Sequence, residues 1–262
     1  MQAMYTGERI LPGSVFNVTY YQSLAAYQFI TPRVVGKAVL DVACGEGYGT
    51  AVLGKVAAKS VGIDQDRATI AAARQKYATP GVSFRLGSLF SLPTMPEGPF
   101  DVVCCLQTIE HVQDHDAFIK ALQSQTKPGG TIVVSTPNRR QFPTFNPYHV
   151  HELDLAEVTA LFARHFEKFQ IFGVFGDQAV LNYRMSKQRI GHLVLALDFL
   201  HLRTWLPRWL LRPLYQLFSH HVIKRFSFWR HRGTVQNITE QNFTIRSTDL
   251  AVALDFIVVA QT

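Results

Sequence analysis

Short apolar runs alternate with helical patterns over most of the chain. Each run is at most eight residues long, which suits buried β-strands. The first six predicted strands are Lys37 to Ala43, Ser60 to Asp64, Val82 to Leu86, Phe100 to Leu106, Thr131 to Ser135 and Phe169 to Val174. Strands that alternate with helices predict a parallel sheet covered on both faces.

Polar residues mark where the intervening helices begin and end. Asp66 is placed to cap a helix over Arg67 to Tyr77. The next helix is predicted to end at Lys127 to Gly130, which reads Lys-Pro-Gly-Gly. Asp154, with Glu157 three residues later, forms a capping-box pattern that opens another helix. These helices are the expected crossover connections between parallel strands.

A final apolar run, Ala253 to Ala260, is predicted as a seventh strand. The segment between strands six and seven then becomes a helical insertion. A chain of 262 residues fits one α/β domain with an insertion better than two independent domains. We therefore predict a doubly wound, seven-stranded, mostly parallel sheet with this insertion between its last two strands.

The insertion differs in charge from the rest of the chain. The whole sequence has 26 basic and 19 acidic residues, a net charge of +7. Ten of the bases and only one acid, Asp198, lie between Arg184 and Arg232, so this segment carries +9 and the remainder, with 16 bases and 18 acids, carries −2. All three tryptophans lie in the same segment. A localised basic excess indicates a specific partner.

The composition excludes several classes of protein. Hydrophobic residues make up 47% and charged residues 17%, which excludes a disordered or acidic solvating chain. The three cysteines form no C-x-x-C pair, which excludes a disulfide framework or a thiolate zinc site. Glu8 and Pro12-Gly13 stand where an export signal needs a basic start and an apolar run, and no stretch is long and apolar enough to span a membrane. We expect a cytoplasmic protein.

The first strand runs into a glycine-rich turn that opens a helix. The missing Cβ atoms at Gly45 and Gly47 let the backbone approach a ligand closely. Asp64 ends the second strand about twenty residues later, where a carboxylate can accept both hydroxyls of a ribose. The sixth place of the turn, counted from Gly45, is Thr50 rather than glycine, which disfavours a dinucleotide dehydrogenase. The pattern predicts a nucleoside-binding βαβ unit.

Four segments, in order, resemble motifs of class I S-adenosylmethionine-dependent methyltransferases. They are Val39 to Thr50, Val61 to Asp64, Pro99 to Val112 and Lys127 to Thr131. The resemblance covers roughly residues 35 to 140. It implies a Rossmann-like fold and S-adenosylmethionine as cofactor.

The resemblance also assigns cofactor-binding roles. It implies that the cofactor contacts the glycine-rich turn at Asp41, Ala43, Gly45 and Gly47. It also implies that Asp64 binds the ribose, that Gln65, Ser88 and Leu89 lie around the adenine, and that Gln107 lies near the methionine and sulfonium. Many relatives have an acid where this chain has Ser88, and Ala43 replaces a frequent glycine.

The acceptor pocket is expected beyond the carboxyl ends of strands four, five and six. After strand five the chain reads Asn-Pro-Tyr-His-Val-His-Glu over 146–152, similar to loops in some methyltransferases of sugar and polyketide modification. Methylation of a hydroxyl needs a base, and histidine suits this role near neutral pH. The candidates are His149, His151 and His111; each has the alternative of only bonding local backbone. His111 and His115 have metal-compatible spacing, but the sequence supplies no assured third ligand, so no metal site is predicted.

Two segments near the predicted pocket each fit more than one role. The N-terminal residues Tyr5 to Arg9 with Tyr20 and Tyr21 predict either a lid over the cofactor or an ordinary packed helix. In the insertion, leucines and tryptophans recur near helical spacing beside arginines. This pattern fits a cap over a hydrophobic acceptor or peripheral membrane contact through 202–232, with a dimer interface as the plainer alternative. Its high aliphatic content makes nucleic acid a less favoured partner.

The sequence thus predicts one methyltransferase domain over 1–262. Its parts are a lid or helix (1–34), a cofactor-binding core (35–176), the basic insertion (177–243) and the final strand (244–262). The expected reaction is O-methylation of a small-molecule, sugar or lipid-linked acceptor. The alternatives are a cofactor-binding scaffold without turnover and an RNA methyltransferase that uses the basic insertion.

Overall fold

The computed structural model describes residues 18–141, 148–186 and 237–262. Its strands are β1 (Ala38–Val42), β2 (Lys59–Asp64), β3 (Val82–Leu86), β4 (Phe100–Leu106), β5 (Thr126–Pro137), β6 (Lys168–Gly176), β7 (Phe243–Arg246) and β8 (Asp255–Gln261). Its helices are α1 (Val18–Ile30), α2 (Tyr48–Leu53), α3 (Arg67–Tyr77), α4 (His115–Ser124) and α5 (Leu155–His165).

One sheet of eight strands forms the centre of the structure, in the order β3-β2-β1-β4-β5-β8-β6-β7. Strands β1 to β5 are parallel, whereas β8 pairs antiparallel with both β5 and β6. The strand order reverses between β1 and β4, and ligands of open α/β sheets bind at the carboxyl ends of strands beside such a reversal. This edge of the sheet contains the predicted cofactor residues.

The two faces of the sheet bury separate apolar layers because side chains alternate along each strand. Leu40 and Val42 of β1 join a core that includes Phe118 of α4 and Phe162 of α5. Val39, the residue before Leu40, joins a second core on the opposite face that includes α1 and α2. The predicted doubly wound, Rossmann-like architecture is confirmed.

The predicted number of seven strands is wrong. The additional strand, β7, has only four residues and lies at the edge of the sheet, paired with β6 alone. Phe243 is buried and Ile245 half-buried, while the residues between and after them are exposed. Such a short alternation of buried and exposed residues is a weak signal for a strand in the sequence. The segment predicted as one final strand, 244–262, therefore contains most of β7 and all of β8.

The predicted helix starts agree with the structure, and one helix end does not. The Asp66 side chain accepts from the backbone N–H of Thr69, and Asp154 with Glu157 forms the reciprocal capping box that opens α5. Helix α4, however, ends at Ser124 rather than at the Lys-Pro-Gly-Gly stretch. That stretch lies inside β5, because β5 begins at Thr126 and pairs with the start of β4.

The predictions about the lid and the insertion fall largely outside the described residues. Tyr5 to Arg9 and residues 187–236 are among the residues that the structure does not describe. Residues 178–186 are helical, and Tyr20 and Tyr21 belong to α1, where the Tyr20 ring packs 4.9 Å from that of Tyr48. Among the described helices, none has the length and hydropathy of a membrane span.

Candidate functional site

The glycine-rich turn connects β1 to α2, and its two predicted glycines serve different purposes. Gly45 has a φ of +53°, and a Cβ atom built there would have no neighbour within 4 Å. Gly47 has a φ of +82°, and its Cβ would lie 2.6 Å from the Phe84 ring. Gly45 therefore borders open space, where a ligand can approach the backbone, whereas Gly47 is needed for packing.

Asp64 holds the turn from the end of β2. One carboxylate oxygen accepts from the backbone N–H of Gly45 at 3.1 Å, and the other accepts from the N–H of Asp66 at 2.9 Å. Asp64 is half-buried and the adjacent Gln65 is exposed. The carboxylate is thus fixed beside the turn, at the edge where a ribose is predicted to bind.

Asp41 lies beneath the turn and is fully buried. Its carboxylate accepts from the Thr50 hydroxyl at 2.7 Å and, at longer distances of 3.2 and 3.3 Å, from the Tyr27 hydroxyl. Burial raises the pKa of Asp41 to about 6, against the opposing effect of these hydrogen bonds. These contacts give Asp41 a structural role under the turn, and direct cofactor contact by its side chain stays a prediction.

The predicted adenine residues follow β3 at the same edge. Ser88 and Leu89 are half-buried, and the backbone N–H of Ser88 donates to the Ser91 hydroxyl at 3.0 Å. This contact fixes the start of a short 3-10 helix, Leu89–Thr94. The backbone is therefore ordered where the adenine is expected.

Gln107 follows β4 and has a φ of +51°, a backbone conformation that is uncommon for residues other than glycine. Its amide nitrogen lies 3.2 Å from both the Ser135 hydroxyl and the Asp255 carboxylate. Gln22 of α1 also donates to Asp255, and Arg184 donates to Gln22 at 2.7 Å. Burial raises the pKa of the Asp255 carboxyl, while the nearby Arg184 guanidinium opposes that rise.

The sequence did not predict this polar network. Gln22 and Asp255 are 233 positions apart, and their meeting depends on β8 lying beside β5. The one signal in the sequence is an acid inside a predicted apolar strand, Asp255 within Ala253 to Ala260.

A second polar cluster lies between the ends of β4 and β5. Glu110, His111 and His149 each direct one potential ligand atom to a common region, within 4.8 Å of one another. The two imidazole rings are 4.8 Å apart at their centroids and nearly perpendicular. Glu110 is 1% exposed, with the Thr136 hydroxyl 3.5 Å from its carboxylate.

The two histidines of this cluster are oriented by oxygen atoms. Nδ1 of His149 lies 2.5 Å from the Glu152 carboxylate, and Nδ1 of His111 lies 3.1 Å from the backbone carbonyl of Tyr148. Because an oxygen acceptor places the proton on Nδ1, the lone pair of each neutral ring is on Nε2. Such an imidazole can accept a proton or bind a cation.

His151 lies apart from this cluster. Its side chain is 46% exposed, and its Nε2 is 3.1 Å from the Glu157 carboxylate at the start of α5. The His151 ring also approaches that of His115, at 5.9 Å between centroids. Of the three predicted catalytic histidines, the structure brings together His111 and His149.

Comparison with known proteins adds a family to this geometry. Residues 40–134 match the family model described as a methyltransferase domain. A protein of Mycolicibacterium smegmatis named "probable S-adenosylmethionine-dependent methyltransferase" is 40% identical over 177 residues, which cover 65% of this chain and 68% of that protein. The ubiquinone biosynthesis O-methyltransferase of Pseudomonas paraeruginosa is 38% identical over 108 residues, 40% of this chain and 47% of that enzyme.

A solved structure extends the likeness to the whole fold. The crystal structure described as a Thermotoga maritima SAM-dependent methyltransferase, possible histamine N-methyltransferase, has a TM-score of 0.58 and 14% identity. The alignment covers 94% of this chain and 91% of that one. At so low an identity the likeness concerns the fold alone.

Proposed function

This chain belongs to the class I S-adenosylmethionine-dependent methyltransferases, and from that premise we propose that it methylates an oxygen atom of a small-molecule, sugar or lipid-linked acceptor. The observation that carries the proposal is the His149–Glu152 contact of 2.5 Å beside the ends of β4 and β5. A histidine oriented by a carboxylate is the usual arrangement for removing a proton from a hydroxyl.

The reaction needs few groups from the protein. The acceptor hydroxyl gives up its proton at the histidine cluster, and an oxygen lone pair forms the new O–C bond. The S–C bond of the sulfonium breaks with its electron pair retained on sulfur, which leaves S-adenosylhomocysteine. Since this is an in-line displacement, the protein contributes mainly alignment of the two substrates and removal of the proton.

The positions of the cofactor residues support this arrangement. Gly45 borders open space, Asp64 is fixed beside it, and Gln107 follows the next strand across the switch in strand order. We assign the methionine half of the cofactor to the turn and the sulfonium to the vicinity of Gln107. Gln107 comes three residues before Glu110, so the methyl group would lie near the histidine cluster.

Oxygen is favoured over nitrogen as the methylated atom. A neutral amine has a lone pair available for attack and needs no base, whereas a hydroxyl must lose a proton. A site that contains a histidine oriented by a carboxylate therefore suits a hydroxyl. The similarity to an enzyme named as an ubiquinone biosynthesis O-methyltransferase supports the same choice. The +9 charge of the insertion suggests an anionic acceptor, and its recurring leucines and tryptophans suggest an apolar one.

Calorimetric titration with S-adenosylhomocysteine tests the cofactor site first. We expect micromolar binding by the parent chain and its loss in Asp64→Ala. Asp116→Ala removes an acid from the remote surface contact with His165 and is expected to bind normally. Equal binding by Asp64→Ala and the parent would contradict the assigned site.

Turnover is then measured with cofactor carrying a ¹³C-methyl group and a panel of phenolic, sugar and amine acceptors. The ¹³C shift of the product distinguishes a methoxy from an N-methyl group. We expect methoxy products and a loss of at least 100-fold in kcat for His149→Ala. His151→Ala, in the same loop, should lose far less. Exclusive N-methylation would overturn the proposal.

A further inference from the structure

We propose that Glu110, His111 and His149 form a binding site for a divalent first-row transition-metal ion at the acceptor end of the sheet. The inference goes beyond the proposed function, because metal binding can be measured without turnover. Two imidazoles and one carboxylate match the ligand types of metal sites that keep positions open for water or substrate.

The three ligand atoms are close enough to meet at one ion. They lie within 4.8 Å of one another. Metal–nitrogen and metal–oxygen bonds of about 2.0–2.2 Å place two ligands of a tetrahedral ion roughly 3.4 Å apart. Small side-chain rotations would therefore complete the site, without movement of the sheet.

The backbone under the site is already fixed. Glu110 and His111 belong to the short 3-10 helix Ile109–His111, which is separated from the end of β4 by two residues. The backbone carbonyl of Glu110 accepts from the N–H groups of Val150 and His151, at 2.8 and 3.2 Å. These bonds hold the loop that carries His149 against the turn that carries the other two ligands.

Oxygen atoms behind the two imidazoles provide the outer contacts that metal-binding histidines require. Glu152 lies at Nδ1 of His149 and the Tyr148 carbonyl at Nδ1 of His111, so each histidine would bind the ion through Nε2. Glu152 is itself only 12% exposed at its side chain. A carboxylate behind a histidine raises its basicity as a ligand.

A cation is compatible with the charge at this position. Glu110 is 1% exposed, and its carboxylate would give a dication bound there a compensating negative charge. The competing arrangement is an ion pair between Glu110 and a protonated histidine, which needs no metal and is an outcome of the test below.

A bound ion would also assist the reaction, and this part of the inference rests on the proposed function. With the ion bound, His149 would serve as a ligand rather than as the base. An acceptor hydroxyl in an open coordination position would then lose its proton to solvent more readily, because the cation would stabilise the resulting oxygen anion. That oxygen then attacks the methyl group as described above, and sulfur keeps the electron pair of the broken bond. The preferred acceptors would carry a phenolic hydroxyl or two vicinal hydroxyls, which can chelate the ion.

Metal binding is tested on the full chain after treatment with a chelator and its removal. We expect one equivalent of Zn²⁺ to bind by calorimetry, and Co²⁺ to give visible absorption bands of a nitrogen and oxygen environment. His149→Ala and Glu110→Gln should weaken Zn²⁺ binding at least 100-fold. Glu152→Gln, which changes only the outer contact, should weaken it about 10-fold. Thermal unfolding of each apoprotein variant verifies that it folds.

His151→Ala is the matched control, since His151 belongs to the same loop but pairs with Glu157. Its Zn²⁺ affinity should equal that of the parent. Absence of binding by the parent, or equal binding by the parent and a folded His149→Ala or Glu110→Gln variant, would overturn the metal site. If metal does not bind but turnover still depends on His149, the hydroxyl proton passes directly to a neutral His149 and the proposed function survives.

Discussion

Alanine substitutions at two glycines of the turn, Gly45 and Gly47, should distinguish an effect on stability from an effect on cofactor binding. Both Gly45 and Gly47 have positive φ, so alanine at either costs about 1–2 kcal/mol in backbone strain. Gly47→Ala also drives a methyl group into the Phe84 ring, which adds roughly 1–3 kcal/mol. We expect Gly47→Ala to be the less stable variant in urea unfolding.

Gly45→Ala is expected to lose cofactor affinity while it remains folded, because its methyl group would occupy the open space assigned to the cofactor. Titration with S-adenosylhomocysteine at a temperature where both variants are folded checks this. Undiminished affinity in Gly45→Ala would show that the cofactor does not approach this part of the turn.

Ala43 offers a stabilising substitution. It has a φ of +57° and is exposed at the same turn. Glycine there removes the strain of the left-handed conformation but adds chain entropy to the unfolded state, so Ala43→Gly should stabilise by about 0.5–1 kcal/mol. Ala72→Gly, at an exposed site inside α3, should destabilise by about 1 kcal/mol. Urea unfolding of the two variants should therefore shift in opposite directions.

At the scale of elements, Asp41 connects two helices to the first strand. Its carboxylate receives the Tyr27 hydroxyl from α1 and the Thr50 hydroxyl from α2. Gly49 makes the first contact possible, since a Cβ atom there would lie 2.0 Å from the Tyr27 ring. The buried Asp41 carboxylate also makes the stability of the domain depend on pH.

Asp41→Asn should remove part of that response. The folded-state pKa of about 6 exceeds the unfolded value of about 3.9, so the native state holds the proton more strongly between these values. The contribution of Asp41 to stability is therefore present at low pH and declines by about 2 kcal/mol as pH rises from 4 to 6. Urea unfolding of parent and variant across this range checks it; parallel curves would contradict the raised pKa.

Elements with strong local signals could be predicted from the sequence, and those that depend on partners could not. Helix α3 has the predicted bounds because Asp66 caps its first turn and its buried residues recur at helical spacing. Strand β7 has four residues and one neighbour, so it acquires its strand conformation from β6. The Lys-Pro-Gly-Gly stretch has the local signal of a helix end, but it forms an irregularity within β5 between Thr126 and Thr131, which both pair with β4.

At the scale of the molecule, the sequence located the edge of the sheet that contains the site but not the partners that complete it. Asp64 and the turn are close in sequence and carry a recognisable spacing. Asp255 reaches Gln107 from 148 positions away, through the antiparallel placement of β8. Glu110 and His149 likewise meet only because a loop folds back on the end of β4.

The final prediction concerns the basic insertion as a partner-binding unit. If it docks onto membranes that contain a lipid-linked acceptor, the full chain should sediment with vesicles of phosphatidylglycerol and phosphatidylcholine at low salt. Each arginine near an anionic surface contributes about 1 kcal/mol, and this attraction is screened by salt. Trp205→Ala combined with Trp209→Ala should weaken vesicle binding several-fold, because tryptophan anchors helices at the membrane interface.

Val35→Ala with Val252→Ala removes two exposed apolar side chains elsewhere, 62% and 57% exposed, and should leave vesicle binding unchanged. Equal losses in both double variants would indicate nonspecific adsorption. Absence of vesicle binding, together with RNA affinity that falls steeply with salt, would favour the hypothesis of an RNA methyltransferase instead. If neither partner binds, the insertion acts within the protein as a cap over the acceptor or between copies of the chain, and vesicle composition should then have no effect on turnover.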